Sequence, residues 1–214
     1  MLYNFEKTLL VILLSVTFSC KNYNNENHYK NFAIVTAKYE ATKAGHKILK
    51  MGGNAFDAMI ATDLALSVVY PNAGNLGGGG FMVYRTSNSQ YGSIDYREKA
   101  PLLSSENMYL DKNGNIIKNL SREGSLSIGV PGTVAGLFEV YEKFGTLPLD
   151  SIFKPALELA KDGFKLTKKQ ADLFNSSKSK ILINSDSLSL FNKDFKKDMI
   201  FSNYKLYKTL KYLL

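Results

Sequence analysis

Apolar residues recur along this chain first at helical spacing and then at strand spacing. From Glu40 to Met51, Ala41, Ala44, Ile48 and Leu49 lie on one side and lysines lie opposite, which predicts an amphipathic helix. Gly52-Gly53 ends it, because glycine just past a last turn accepts backbone angles closed to other residues. Asn54 is placed to cap the next helix, Ala55 to Val69, with Asp57 complementing the dipole in its first turn. That second helix is apolar on nearly every side (Met59, Ile60, Ala61, Leu64, Ala65, Leu66, Val68, Val69), so it belongs inside a larger body. At about fifteen residues it is short for a bilayer crossing. Pro71 stops it.

Strand-like segments follow a different rhythm. FAIVTA, from Phe32, has strand character and opens the folded part. Phe81 to Arg85 and Tyr91 to Tyr96 read as two strands joined by the polar turn Thr86-Ser87-Asn88-Ser89-Gln90. Gly129-Val130-Pro131-Gly132-Thr133 forms a tight turn into a helix from Val134 to Phe144, closed by Gly145. A further helix is predicted over Ser151 to Asp162. Pro155 lies near its start, where a missing amide costs little, and Gly163 ends it. Lys165 to Leu190 reads as partly helical, and Tyr204 to Leu214 repeats Leu206, Leu210, Leu213 at helical spacing. No internal repeat or linker divides residues 32–214, which read as one domain.

Composition narrows the class. The chain has 214 residues, 45% hydrophobic and 21% charged, as expected of a globular protein with an ordinary core. Its net charge is +8, but only Arg85, Arg97 and Arg122 are arginines and the lysines look scattered. Nucleic-acid binders concentrate basic residues on one element with arginine prominent, so a solvated surface is the better reading and no nucleic-acid partner is expected.

The first twenty residues read as a signal peptide. Lys7 precedes an apolar run from Leu9 to Phe18 that has the length of a signal core and is too short to span a bilayer. It ends at Ser19-Cys20, and Cys20 is the only cysteine in the chain, so no internal disulfide is available. Cys20 is placed to be the lipidated first residue of a bacterial lipoprotein. Thr17-Phe18-Ser19 matches the usual processing box only loosely, which keeps a plain cleaved signal as the alternative. Residues 21–31, polar and asparagine-rich, read as a tether.

Two features carry candidate chemistry. Asn75-Leu76-Gly77-Gly78-Gly79-Gly80-Phe81 lacks the Lys-Ser/Thr of a P-loop and the spacing of a dinucleotide fingerprint, and a helix precedes it where a strand should. It reads instead as backbone packed closely against another segment or a ligand. Arg97 can grip a carboxylate with two parallel N–H groups, which lysine cannot reproduce, and an ordinary ion pair is the plainer alternative. Glu98 stands beside it, although neighbours on a strand point to opposite faces. His28 lies in the tether and His46 on the first helix, so no metal cluster and no serine triad is expected.

Six segments in order resemble the N-terminal, heavy-chain portion of the γ-glutamyltranspeptidase family. They are AIVTAKYEATKAG (33–45), GGNAFDAMIA (52–61), NLGGGGFMVYR (75–85), IDYREKAP (94–101), GVPGTVAGL (129–137) and PALELAKDGF (155–164). The resemblance implies an α+β N-terminal-nucleophile hydrolase, a four-layer αββα sandwich that is incomplete in this chain. It implies self-cleavage before a threonine whose new amino group then serves as the base when the hydroxyl attacks glutathione or another γ-glutamyl substrate. No cofactor or metal is implied. Arg97 matches the family arginine that pairs with the substrate α-carboxylate. Gly77 to Gly80 are expected to be structural, packing the buried helix under the site.

The nucleophile of the family lies in a light chain beyond the matched segments, and Thr133 and Thr146 do not stand in for it. The expectation is therefore an exported heavy-chain part, lipid-anchored at Cys20 in the periplasm or cell envelope, inactive without a complementary light chain. A sister reading is acylase activity on β-lactam side chains. A rival from another class is a non-catalytic lipoprotein that binds γ-glutamyl peptides or pairs with a paralogue.

Overall fold

The computed structural model describes residues 31–183 and 189–214. Cys20, His28, and the signal and tether segments up to residue 30 lie outside the described residues. Residues 34–214 form one compact unit, and the three described residues before it belong to a separate N-terminal unit.

Helix α1 spans Tyr39–Lys50 and α2 spans Ala55–Val69. Ala41, Ala44, Gly45 and Ile48 form the buried stripe of α1 and pack on α2. A Cβ at Gly45 would run into the Thr62 hydroxyl and the Ile34 side chain, so glycine lets the two helices approach closely. Gly52, at φ +89°, makes the left-handed turn between them. Asn54 closes a full capping box. Its side chain accepts from the Phe56 and Asp57 amides at 2.8 and 2.9 Å, and its own amide donates to Asp57 Oδ2 at 3.0 Å. Ala58, Ile60, Ala61, Leu64, Ala65, Val68 and Val69 of α2 are all buried, as expected of a helix without a polar face.

Strands β1 (Phe81–Arg85) and β2 (Tyr91–Asp95) pair antiparallel, Phe81 opposite Asp95 and Arg85 opposite Tyr91. Met82 and Ile94, facing each other in register, are buried. Tyr84 leans on Phe56 and Phe144, whose rings stack at 4.2 Å. The opposite face is uncovered: Phe81, Val83 and Tyr91 are exposed, Val83 to 84%.

Helices α3 (Thr133–Phe144) and α4 (Leu149–Asp162) pack against α2. Because α4 starts at Leu149, Pro155 is its seventh residue, beyond the first turn where a missing amide is harmless. The strand pair β3 (Phe164–Lys165) and β4 (Ile200–Phe201) brackets helix α5 (Lys168–Ile183), and α6 (Tyr204–Tyr212) packs on α4. Phe174, Phe191, Phe195 and Phe201 meet ring to ring between these elements. Asn203 caps α6 by accepting from the Leu206 amide at 3.0 Å.

The expected strand at FAIVTA is not formed. Residues 34–37 alternate half-buried and exposed as a strand would, with Val35 94% exposed, but among the described residues no strand pairs with them. The architecture is α+β: a helical layer carrying a two-stranded antiparallel hairpin, with the αββα sandwich incomplete.

Candidate active site

Arg97 sits in a two-residue jog between two antiparallel contacts. On one side, Gly80 and Tyr96 exchange amide-to-carbonyl bonds of 3.3 and 3.0 Å; on the other, Lys99 and Val130 exchange bonds of 3.1 and 2.8 Å. Strand β2 ends at Asp95, whose carboxylate accepts from the Arg97 amide at 2.9 Å. Arg97 and Glu98 are therefore outside the pleat, and strand alternation does not separate them. The Arg97 Nε lies 3.0 Å from Glu98 Oε2, and its guanidinium carbon lies 5.6 Å from the Phe81 ring centre. The side chain stays 59% exposed, so one edge of the guanidinium is held while the other is open to a planar acceptor.

The glycine loop supports this jog and not the buried helix beneath it. A Cβ at Gly79 would lie 2.5 Å from the Tyr96 carbonyl and 2.7 Å from the Glu98 nitrogen, and one at Gly80 would meet the Tyr96 ring. Gly132 also bears on the Tyr96 carbonyl and Gly136 on its ring, so four glycines leave room for one residue. The Gly78 carbonyl accepts from the Gly132 and Thr133 amides at 2.9 and 3.1 Å, which ties the loop to the start of α3. The buried Thr133 hydroxyl donates to the Asn75 carbonyl at 3.3 Å.

Behind the jog lies a polar cavity of about 150 Å³, lined by Asp63, Asn75, Tyr96, Glu98 and Thr133 among others. Burial pushes the Asp63 carboxyl above its ordinary value. The Tyr96 phenol is also pushed up, first by burial and then by the charge of Asp63. Asp63 is not among the sequence candidates, although a carboxylate beyond the first turn of the apolar run AFDAMIATDLALSVV, where Asp57 already serves the helix start, is a usable signal.

The other candidates lie elsewhere. Thr146 donates through its amide (3.0 Å) and its hydroxyl (2.5 Å) to the fully buried Asp57, so it braces the start of α2. His46 is exposed on α1. Among the described residues, no three of His, Cys, Asp or Glu come together as a metal site, and no helix is long and apolar enough to cross a membrane.

The likeness of this helical layer and its hairpin to solved proteins places the chain in the N-terminal-nucleophile hydrolase fold class. The crystal structure of Helicobacter pylori γ-glutamyltranspeptidase superposes with a TM-score of 0.81 at 38% identity, covering 86% of this chain and 54% of that one. A cephalosporin acylase from Bacillus halodurans shares the fold alone, at TM-score 0.71 and 21% identity over 89% of this chain and 39% of its own. The Gamma-glutamyltranspeptidase family matches residues 41–213, and the chain belongs to that family. A glutathione hydrolase proenzyme from Pseudomonas sp. (strain A14) is 41% identical over 198 residues, 90% of this chain. The match covers 32% of that protein, so the chain spans about a third of its length.

Proposed function

We propose that this chain forms the carboxylate-binding part of an enzyme that transfers or hydrolyses the γ-glutamyl group of glutathione and related compounds. The observation that carries the reading is the setting of Arg97, an exposed guanidinium steadied by Glu98 on a jog that four glycines make room for. Such a group accepts the α-carboxylate of a γ-glutamyl donor through two parallel N–H bonds. The γ-amide would then extend toward a nucleophile supplied from outside this chain. The family membership and the named relatives support the choice of glutathione as substrate.

The catalytic threonine belongs in this reading to a complementary light-chain segment, where its own amino group acts as base. Thr133 and Thr146 are engaged inside the heavy part, one on the Asn75 carbonyl and one on Asp57, and neither is a candidate. The chain alone is accordingly proposed to be inactive. The uncovered hairpin face and the unpaired residues 34–37 are where the complementary segment would complete the sandwich. The chain is further proposed to be exported and lipid-anchored at Cys20.

The test uses the heavy part assembled with a light-chain segment carrying the threonine. Arg97→Lys keeps the charge and loses the fork, so binding of γ-glutamyl substrates should weaken by about 1–3 kcal/mol, seen as a raised KM. An unchanged KM would remove Arg97 from the substrate site.

A further inference from the structure

The lysines are less scattered along the chain than its sequence first reads. Residues 161–214 hold twelve lysines against five aspartates, which is +7 of the net +8 of the whole chain. Part of this charge is organised on α6. Tyr204, Tyr207, Lys208 and Lys211 stand at i, i+3, i+4 and i+7, one stripe of a helix, while Leu210 is buried on the other side. The Tyr204 and Tyr207 rings stack at 5.3 Å. Lys208 lies 5.4 Å from the Tyr204 ring centre, and Lys161, reaching from α4, lies 6.0 Å from that of Tyr207. Tyr204 is 56% exposed and Tyr212, at the end of the helix, 89%. Helix α6 carries no acidic residue; the nearest in sequence to the patch is Asp162, beside Lys161.

We propose that this lysine–tyrosine face of α6, with Lys161, docks on the anionic headgroups of a membrane. Two physical points favour lipid over other acidic partners. Tyrosine prefers the boundary between headgroup and acyl chain, where its ring is apolar and its hydroxyl wet, and flanking lysines extend along their stems to reach phosphate. Arginine, the residue that reads nucleic-acid bases and forks onto their phosphates, is absent from 161–214. The face stands apart from Arg97 in the chain and does not depend on the γ-glutamyl reading. It would add a surface contact to the proposed tether at Cys20, in keeping with the rule that stable membrane attachment takes two signals.

The experiment measures partition of the full chain onto phosphatidylcholine vesicles with and without about 30 mol% phosphatidylglycerol, at low and at roughly 0.5 M salt. Any uptake through the uncharged apolar run Leu9 to Phe18 would be common to both kinds of vesicle, so the ratio between them isolates the charged face. The expected ratio is about tenfold or more in favour of the anionic vesicles, and it collapses at high salt. Lys208→Glu with Lys211→Glu should abolish it, while the same reversal at the exposed Lys112 and Lys118 should leave most of it. Lys208→Gln with Lys211→Gln, which adds no acid, should lower the ratio by an intermediate amount and guards against a folding defect in the reversed variant. Equal partition onto both vesicles overturns the proposal, as does equal loss from the distant pair of lysines. Binding of single-stranded RNA that is sensitive to Lys208 and Lys211, without vesicle preference, overturns it in favour of nucleic acid.

Discussion

The two faces of the β1–β2 hairpin share a backbone but not a fate. One presses Met82, Ile94 and Tyr84 inward, Tyr84 against Phe56 and Phe144 of the helical layer; the other leaves Phe81, Val83 and Tyr91 exposed. The inner face is complete within this chain. On the outer face, apolar residues alternate as a buried strand requires, yet among the described residues they stay exposed, and this is the face the proposed complementary segment would cover. Arg97 lies where the two regimes meet, its backbone locked by the finished side and its guanidinium on the open one.

Substitutions can sharpen that contrast. Asp57→Ala strikes the finished side hardest, since it strips the partner from the Asn54 amide and from the amide and hydroxyl of Thr146. A loss of about 3–4 kcal/mol in urea unfolding is expected. Gly132→Ala comes next, because the added methyl would run into the Tyr96 carbonyl, which is backbone and yields little. It should cost about 1–3 kcal/mol and displace the Arg97 jog, read as a changed chemical shift of the Arg97 Nε–H.

Asp63→Asn tests the polar cavity between the two regimes, and its sign follows from linkage. The folded-state value of Asp63 is raised, so the folded chain holds the proton more tightly than the unfolded one. The stability it contributes is present below the ordinary carboxylate value and is lost as pH rises through the raised one. The variant should therefore flatten the fall in melting temperature with rising pH, and at neutral pH it should melt above the parent. Smallest of all, Val83→Ser on the open face should shift the stability of this chain by less than about 0.5 kcal/mol in the same urea titration. A loss as large as that of a core position would mean that the face is covered after all.

The sequence was most readable where the signals are local. Asn54 and Asp57 announced a helix start, and the structure closes the full box there; the apolar α2 is buried as its lack of a polar face required. Readings that depended on a partner fared worse. FAIVTA has the alternation of a strand, yet a strand needs a neighbour to bond with, and none is present among the described residues. Nothing in the two-residue pieces Phe164–Lys165 and Ile200–Phe201 marks them as a pair, because their register is set by the tertiary fold. Arg97 was found as a candidate, but its link to Glu98 was discounted on strand geometry that ends two residues earlier. The glycine run was identified as structural but assigned to the wrong neighbour, since glycine spacing says that something passes close and not what it is.

The bond from Thr146 to Asp57 joins residues 89 positions apart in the chain. Asn54 Nδ2 reaches the Phe144 carbonyl at 2.6 Å beside it, so the first turn of α2 and the link between α3 and α4 share one clasp. Neither can fray alone without stranding a buried carboxylate or its donors. Exposed interhelical links usually open on their own and are where proteases cut. Here the opening of residues 145–148 is coupled to the unravelling of α2, so resistance to nicking at that link reports on the integrity of the whole helical layer.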